Sequence, residues 1–149
     1  TRYAIGEIVS HNLSKKPSIV IDKSSEIYKY VKKDTDAVVI DEVQFFDDEI
    51  IAITEDLADL GIRVIVGGLD RDFRGEPFGP MPELLARAEF VTKLTAICVK
   101  SGLPATRTQR IINGKPANYS DPTILVGANE SYEPRSRHYH EVPGKPIKD

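Results

Sequence analysis

The feature that most constrains this chain is an alternation of short apolar runs and one helical stripe between residues 36 and 68. Ala37-Val38-Val39-Ile40 is a continuous apolar run closed by Asp41-Glu42. Such a run reads as a strand buried on both faces, as in a parallel sheet. From Asp47 to Leu60, the residues Ile50, Ile51, Ile53, Leu57 and Leu60 recur at helical spacing. Asp47 and Asp48 stand at the start of that stripe and Gly61 at its end, where capping and the helix dipole favour them. Ile62-Arg63-Val64-Ile65-Val66 is the next strand, closed by Gly67-Gly68. Strand, helix and strand in this order predict an α/β domain with a parallel sheet.

The flanking chain extends the pattern. Ser18–Ile21 reads as a strand after Pro17, and Ser24 caps a helix to about Lys32 with Ile27, Tyr28 and Val31 on one face. A Gly- and Pro-rich loop from Arg74 to Pro82 leads into a short helix ending near Glu89. Beyond Lys93 the style becomes β-rich. Leu94–Cys98 and Ala105–Ile112 read as strands, and Asn113-Gly114 is a strong signal for a two-residue hairpin turn. Thr123–Val126 reads as one more strand, Gly127–Pro134 as a polar loop, and Val142–Asp149 as a disordered tail. The expected division is an α/β body over residues 1–93 and a small β appendage over 94–149.

Composition limits the function classes. A chain of 149 residues with 40% hydrophobic and 29% charged residues can bury a real core, about 70% of its unfolded surface. No apolar run is long enough to cross a bilayer, and no membrane partner is expected. A formal charge of −3 argues against a nucleic-acid polymer as partner. The single cysteine forbids an intrachain disulfide and fits a reducing, cytoplasmic setting.

In parallel sheets, ligands collect at the carboxyl ends of strands. That rule points to Asp41-Glu42-Val43-Gln44 and to Leu69-Asp70-Arg71-Asp72-Phe73. Two acids after an apolar strand have two readings. They form a Walker-B-like element, one carboxylate serving magnesium and the other acting as general base, or they merely cap the next element. Phe73 and Phe78 either pack beneath their loop or wall a base pocket, and Arg71 and Arg74 either hold phosphate or are solvated. Cys98 with Ser101, and Ser136 with Tyr139, mark two corners of the appendage. With only Cys98 as thiol, and His138 and His140 as further candidate donors, a surface histidine cluster competes with a zinc site.

Together these residues resemble a family. Asp41-Glu42-Val43-Gln44-Phe45-Phe46, Gly68-Leu69-Asp70, Asp72-Phe73-Arg74-Gly75 and Pro77-Phe78-Gly79 are similar to segments of the type II thymidine kinases. So are Thr106–Arg110, Val126-Gly127-Ala128 and Glu130–Glu133, together with Thr1-Arg2-Tyr3 and Ser10-His11. The resemblance implies a P-loop, RecA-like parallel-sheet body with a lasso and zinc-ribbon-like appendage. It implies ATP- and magnesium-dependent phosphorylation of the 5′-hydroxyl of thymidine or deoxyuridine, in a cytoplasmic homotetramer. Glu42 resembles the general base. Leu69, Phe73 and Phe78 resemble residues around the nucleoside, and Thr108 one near the thymine methyl group. Thr123, Ile124, Leu125, Val126 and Gly127, with Tyr132, resemble the lasso that closes over the base. Cys98 is the retained member of a four-ligand zinc site whose other positions fall at Ser101, Ser136 and Tyr139. The family's G-x-x-x-x-G-K-[ST] loop has no counterpart between Thr1 and Asp149. The chain alone is therefore expected to be inactive, and a non-catalytic nucleoside-binding or assembly module is the competing reading.

Overall fold

The computed structural model describes residues 5–9, 15–123 and 130–147. Contacts gather into two compact units, residues 1–67 and 68–149. Among the described residues the sheets are small, three of two strands and one of three. No described helix is long and apolar enough to cross a membrane.

The first unit opens with β1 (Ile5–Val9) and β2 (Lys15–Ile19), an antiparallel pair in the register Ile5↔Ile19 to Val9↔Lys15. The second of these begins and ends earlier than the Ser18–Ile21 run suggests, because the pairing extends it back through Pro17. Ser24–Lys29 is a tight 3₁₀ turn rather than a longer α-helix. Then come β3 (Ala37–Ile40), α1 (Glu49–Asp59) and β4 (Arg63–Val66), with β3 and β4 parallel and Val39 opposite Ile65.

Helix α1 forms where the apolar stripe predicts it and buries Ile50, Ile53 and Leu57. The Asp47 carboxylate accepts the Glu49 amide at 3.2 Å and the Ser24 amide at 3.2 Å, tying the helix start to the 3₁₀ turn. At the other end Gly61 takes φ +83°. Its N–H donates to the Ala58 carbonyl at 2.8 Å, and Ile62 N–H to that of Leu57 at 3.1 Å. This pair of bonds is a Schellman closure, which needs the left-handed residue that glycine supplies.

One expectation fails here. The β3–β4 pair is not buried on both faces: Val39 is 66% exposed and Ile65 47%, whereas Ile40 is buried. With α1 packed against β4, side chains one residue out of phase point to the opposite face.

The second unit contains α2 (Met81–Arg87), the short pair β5 (Ala96–Ile97) and β6 (Pro104–Ala105), and a three-stranded antiparallel sheet. That sheet is ordered β8 (Lys115–Pro116), β7 (Arg107–Ile112), β9 (Glu130–Arg135). Asn113 and Gly114 both have positive φ, 51° and 77°, and join Ile112 to its partner Lys115. That is the two-residue turn the Asn-Gly pair predicts.

Two expectations are corrected in this unit. The polar stretch before Pro134 is not all loop, since residues 130–135 are a strand fully paired with β7. The tail is not disordered over its described part. Pro143 O accepts the Tyr119 amide at 2.8 Å, and Lys145 N–H closes a turn to Val142 O at 3.2 Å. Just before the tail, the Gln109 side chain donates to Glu141 O at 2.9 Å and accepts the Glu141 amide at 2.8 Å. Of the expected strand Thr123–Val126, residues 124–126 lie outside the described residues, and Thr123 sits in a bend.

Candidate functional site

Glu42 belongs to the first unit and every other named site residue to the second, so each group is built separately. In the first unit the carboxyl ends of the parallel strands meet. Gly67 N–H donates to Ile40 O at 2.8 Å, and Val43 N–H donates back to Gly67 O at 3.0 Å. Between these bonds stands Glu42, whose φ of 52° and ψ of 38° are left-handed. A non-glycine residue there is strained by roughly 1–2 kcal/mol. Two interactions accompany the strain. The Glu42 amide donates to Asp41 Oδ1 at 2.9 Å, and Gln44 Nε2 donates to Glu42 Oε2 in a short hydrogen bond. The result is an exposed carboxylate aimed by its own backbone at the end of a parallel pair, where ligands collect.

In the second unit, the loop after Gly68 folds back on itself. Arg71 pairs with Pro77, and Phe78 N–H donates to Asp70 O at 3.2 Å. Asp72 ties the loop tip by accepting the amides of Arg74 at 2.9 Å and Glu76 at 3.0 Å on Oδ1. Gly75 turns there with φ +75°. Phe73 is carried inward and is only 5% exposed, while Phe78 is half-buried and Leu69 exposed. Phe73 therefore packs beneath the loop and presents no open ring.

Thr108 is half-buried on β7 opposite Pro134, and Tyr132 stands on β9 opposite Arg110, 52% exposed. Thr123 is half-buried and accepts a hydrogen bond from Arg74 at 3.0 Å. Ile124, Leu125, Val126 and Gly127 lie outside the described residues. His140 Nε2 lies 2.8 Å from Phe73 O. Its burial lowers the imidazole pKa below 6.5, while hydrogen bonds to the backbone of Phe73 and Thr108 act in the opposite sense.

Two arginines that the sequence left open or unremarked organise this unit. Arg74 is neither solvated nor turned to a vacant anion site: its guanidinium bonds to Asp72, Tyr119 O, Asp121 O and Thr123. Arg110 is fully buried and bonds to Glu130 and Pro122 O. A signal for Arg110 was present. A basic side chain in mid-strand requires a partner, and Glu130 is the nearest following acid after Asp121.

The four positions of the expected zinc site carry one thiol, two hydroxyls and a phenol. Cys98 is buried. Burial alone would raise the thiol pKa. The Ser101 hydroxyl and the amides of Ser136, Lys100 and Ser101 more than offset this and bring it to about 6. So Cys98, Ser101 and Ser136 do come together, but as one sulfur held by hydroxyl and amide donors. Tyr139 takes part through its backbone, donating to Ser136 O at 3.1 Å and accepting from Arg135 at 2.8 Å. His140 is committed to Phe73, so the expected surface histidine cluster does not form around it. Among the described residues no three His, Cys, Asp or Glu side chains gather as metal ligands. One thiolate with two hydroxyls and a phenol does not fit a structural zinc.

The family model described as thymidine kinase matches residues 1–140, nearly the whole chain. The chain belongs to the thymidine kinase family.

Proposed function

We propose that this protein transfers the γ-phosphoryl group of ATP to the 5′-hydroxyl of thymidine or deoxyuridine, with Glu42 as the general base. The observation that carries this reading is the left-handed Glu42 at the carboxyl end of β3, with the Gln44 amide on one carboxylate oxygen. Backbone strain held at an exposed acid is characteristic of positions where the side chain's direction matters. In this reading Gln44 orients the carboxylate, and its second oxygen receives the hydroxyl proton as the nucleophile attacks.

Asp41 would hold a magnesium ion through the hard carboxylate oxygen that this cation prefers. Bound magnesium would neutralise the charge developing on the transferred phosphoryl group. Leu69, Phe73, Phe78 and Thr108 contribute to the nucleoside pocket, which Thr123–Gly127 and Tyr132 close. Phe73, buried beneath its loop, backs that pocket without presenting its ring to the base. The reading includes an α/β nucleotide-kinase body over residues 1–93, in which the phosphate loop itself has no counterpart, a lasso-bearing appendage over 94–149, and assembly as a cytoplasmic homotetramer.

The test is Glu42→Gln in the full-length protein, assayed with ATP, magnesium and thymidine. The amide keeps the side chain's shape and removes the base, so turnover should fall roughly 10²–10⁴-fold while thymidine affinity stays nearly intact. Retention of more than about half of wild-type turnover would remove Glu42 from the base role.

A further inference from the structure

We propose that Arg74 and Arg110 form a double guanidinium bracket that presets the nucleoside pocket by fixing Phe73, Thr123 and Tyr132 relative to one another. The inference rests on the thymidine reading above for the identity of the ligand, but the bracket itself is carried by geometry. Arg110 lies in the central strand of the three-stranded sheet with a side chain of 0% exposure. Its Nε and Nη2 donate to a single oxygen of Glu130 at 3.0 and 2.6 Å, and Nη1 donates to Pro122 O at 2.5 Å. One planar group thus spans the chain before and after residues 124–129.

Arg74 reaches the same region from the loop after Gly68. Nε donates to Tyr119 O at 2.8 Å, Nη2 to Asp121 O at 2.6 Å, and Nη1 to Thr123 Oγ1 at 3.0 Å. Both guanidinium carbons lie over the Phe73 ring, 4.7 Å from its centroid for Arg74 and 5.2 Å for Arg110. Each also lies over a tyrosine, Tyr119 at 5.4 Å for Arg74 and Tyr132 at 5.9 Å for Arg110.

Residues 70–79, 119–123 and 130–132 therefore share two rigid forks and one aromatic ring. A lysine cannot reproduce this. Its ammonium is a single point charge that cannot bond along several fixed directions in one plane or stack flat on a ring. Arg74 and Arg110 are positioning residues in this scheme, because their polar atoms are spent on the protein. Loosening the bracket weakens thymidine binding equally in the ground and transition states, which raises KM and leaves kcat nearly unchanged.

The experiment compares the full-length wild type with Arg74→Lys, Arg74→Gln and Arg110→Lys, using steady-state kinetics and amide hydrogen exchange. Each variant should raise the thymidine KM by about tenfold or more while ATP KM and kcat stay within about twofold. Lysine should not rescue Arg74 relative to glutamine. Amides at 119–123 and 130–132 should exchange about tenfold faster in each variant that remains folded.

Unchanged exchange in both segments in the two Arg74 variants would overturn the bracket, even if Arg110→Lys failed to fold. Rescue by Arg74→Lys, or equal effects on thymidine and ATP, would likewise reject a positioning role. A wild type that neither binds nor phosphorylates thymidine would instead overturn the thymidine reading, leaving exchange to decide the bracket.

Discussion

Replacing Glu42 by glycine and by alanine separates the strain at this position from its chemistry. Both variants lose the carboxylate and the Gln44 contact, so their difference reports the backbone alone. An alanine held at φ 52° and ψ 38° suffers the left-handed penalty of roughly 1–2 kcal/mol. Glycine escapes that penalty but gives up roughly 0.4–1 kcal/mol through the greater freedom of its unfolded chain. The net expectation is that Glu42→Gly is more stable than Glu42→Ala by about 1 kcal/mol, reversing the usual order of these residues. For a chain of this length that is about 2–4 °C in Tm. Equilibrium urea unfolding of the two variants, with exchange over residues 37–60 as a local probe, measures the difference. Both should be inactive. Equal stability, or an alanine variant more stable than the glycine one, would refute the argument that Glu42 is held in a strained conformation.

Two other outcomes follow from the second unit. Elemental analysis should find no stoichiometric zinc, and a strong chelator should leave Tm unchanged, because the sulfur of Cys98 is held by hydroxyl and amide donors; one zinc per chain would reject this. Burial of His140 lowers its folded pKa below 6.5, so in that window the unfolded chain binds the extra proton and stability falls as pH drops below about 6.5. Unfolding measured between about pH 5.5 and 7 should lose part of its pH slope in His140→Gln, and an unaltered slope would remove His140 from the account.

Local periodicity made part of this molecule legible. The stripe Ile50, Ile53, Leu57 and the stop at Gly61 gave α1, and Asn113-Gly114 gave its turn, because each signal acts within a few residues. The run Val38–Ile40 was read as doubly buried because residue type records apolarity and not which faces are covered. Strand β9 was missed for the opposite reason. Glu130, Ser131, Glu133 and Pro134 carry little strand propensity, and their pairing is supported by Arg110 and other distant residues on β7. Arg74 was ambiguous for the same cause, since its partners lie 45 to 49 residues away, apart from neighbouring Asp72. Of the candidate site, Glu42 could be named from its motif, but its left-handed backbone could not be read from the letters Asp-Glu-Val-Gln.

The long reach of these contacts bears on how the chain matures during synthesis. The first unit closes its β3–β4 pairing within residues 37–66, soon after they are made. The loop around Phe73 and Arg74 has to wait for His140, 67 residues later, and for Lys145, 71 residues later. At ribosomal speeds of roughly 5–20 residues per second, that is about 3–14 s during which Phe73 lacks part of its cover. Slower elongation across this stretch should lengthen the exposure of an aromatic ring and two guanidinium groups to chaperones and to neighbouring chains. Codon choice between residues 75 and 145 is thus a direct handle on the yield of folded protein, with no change in its sequence.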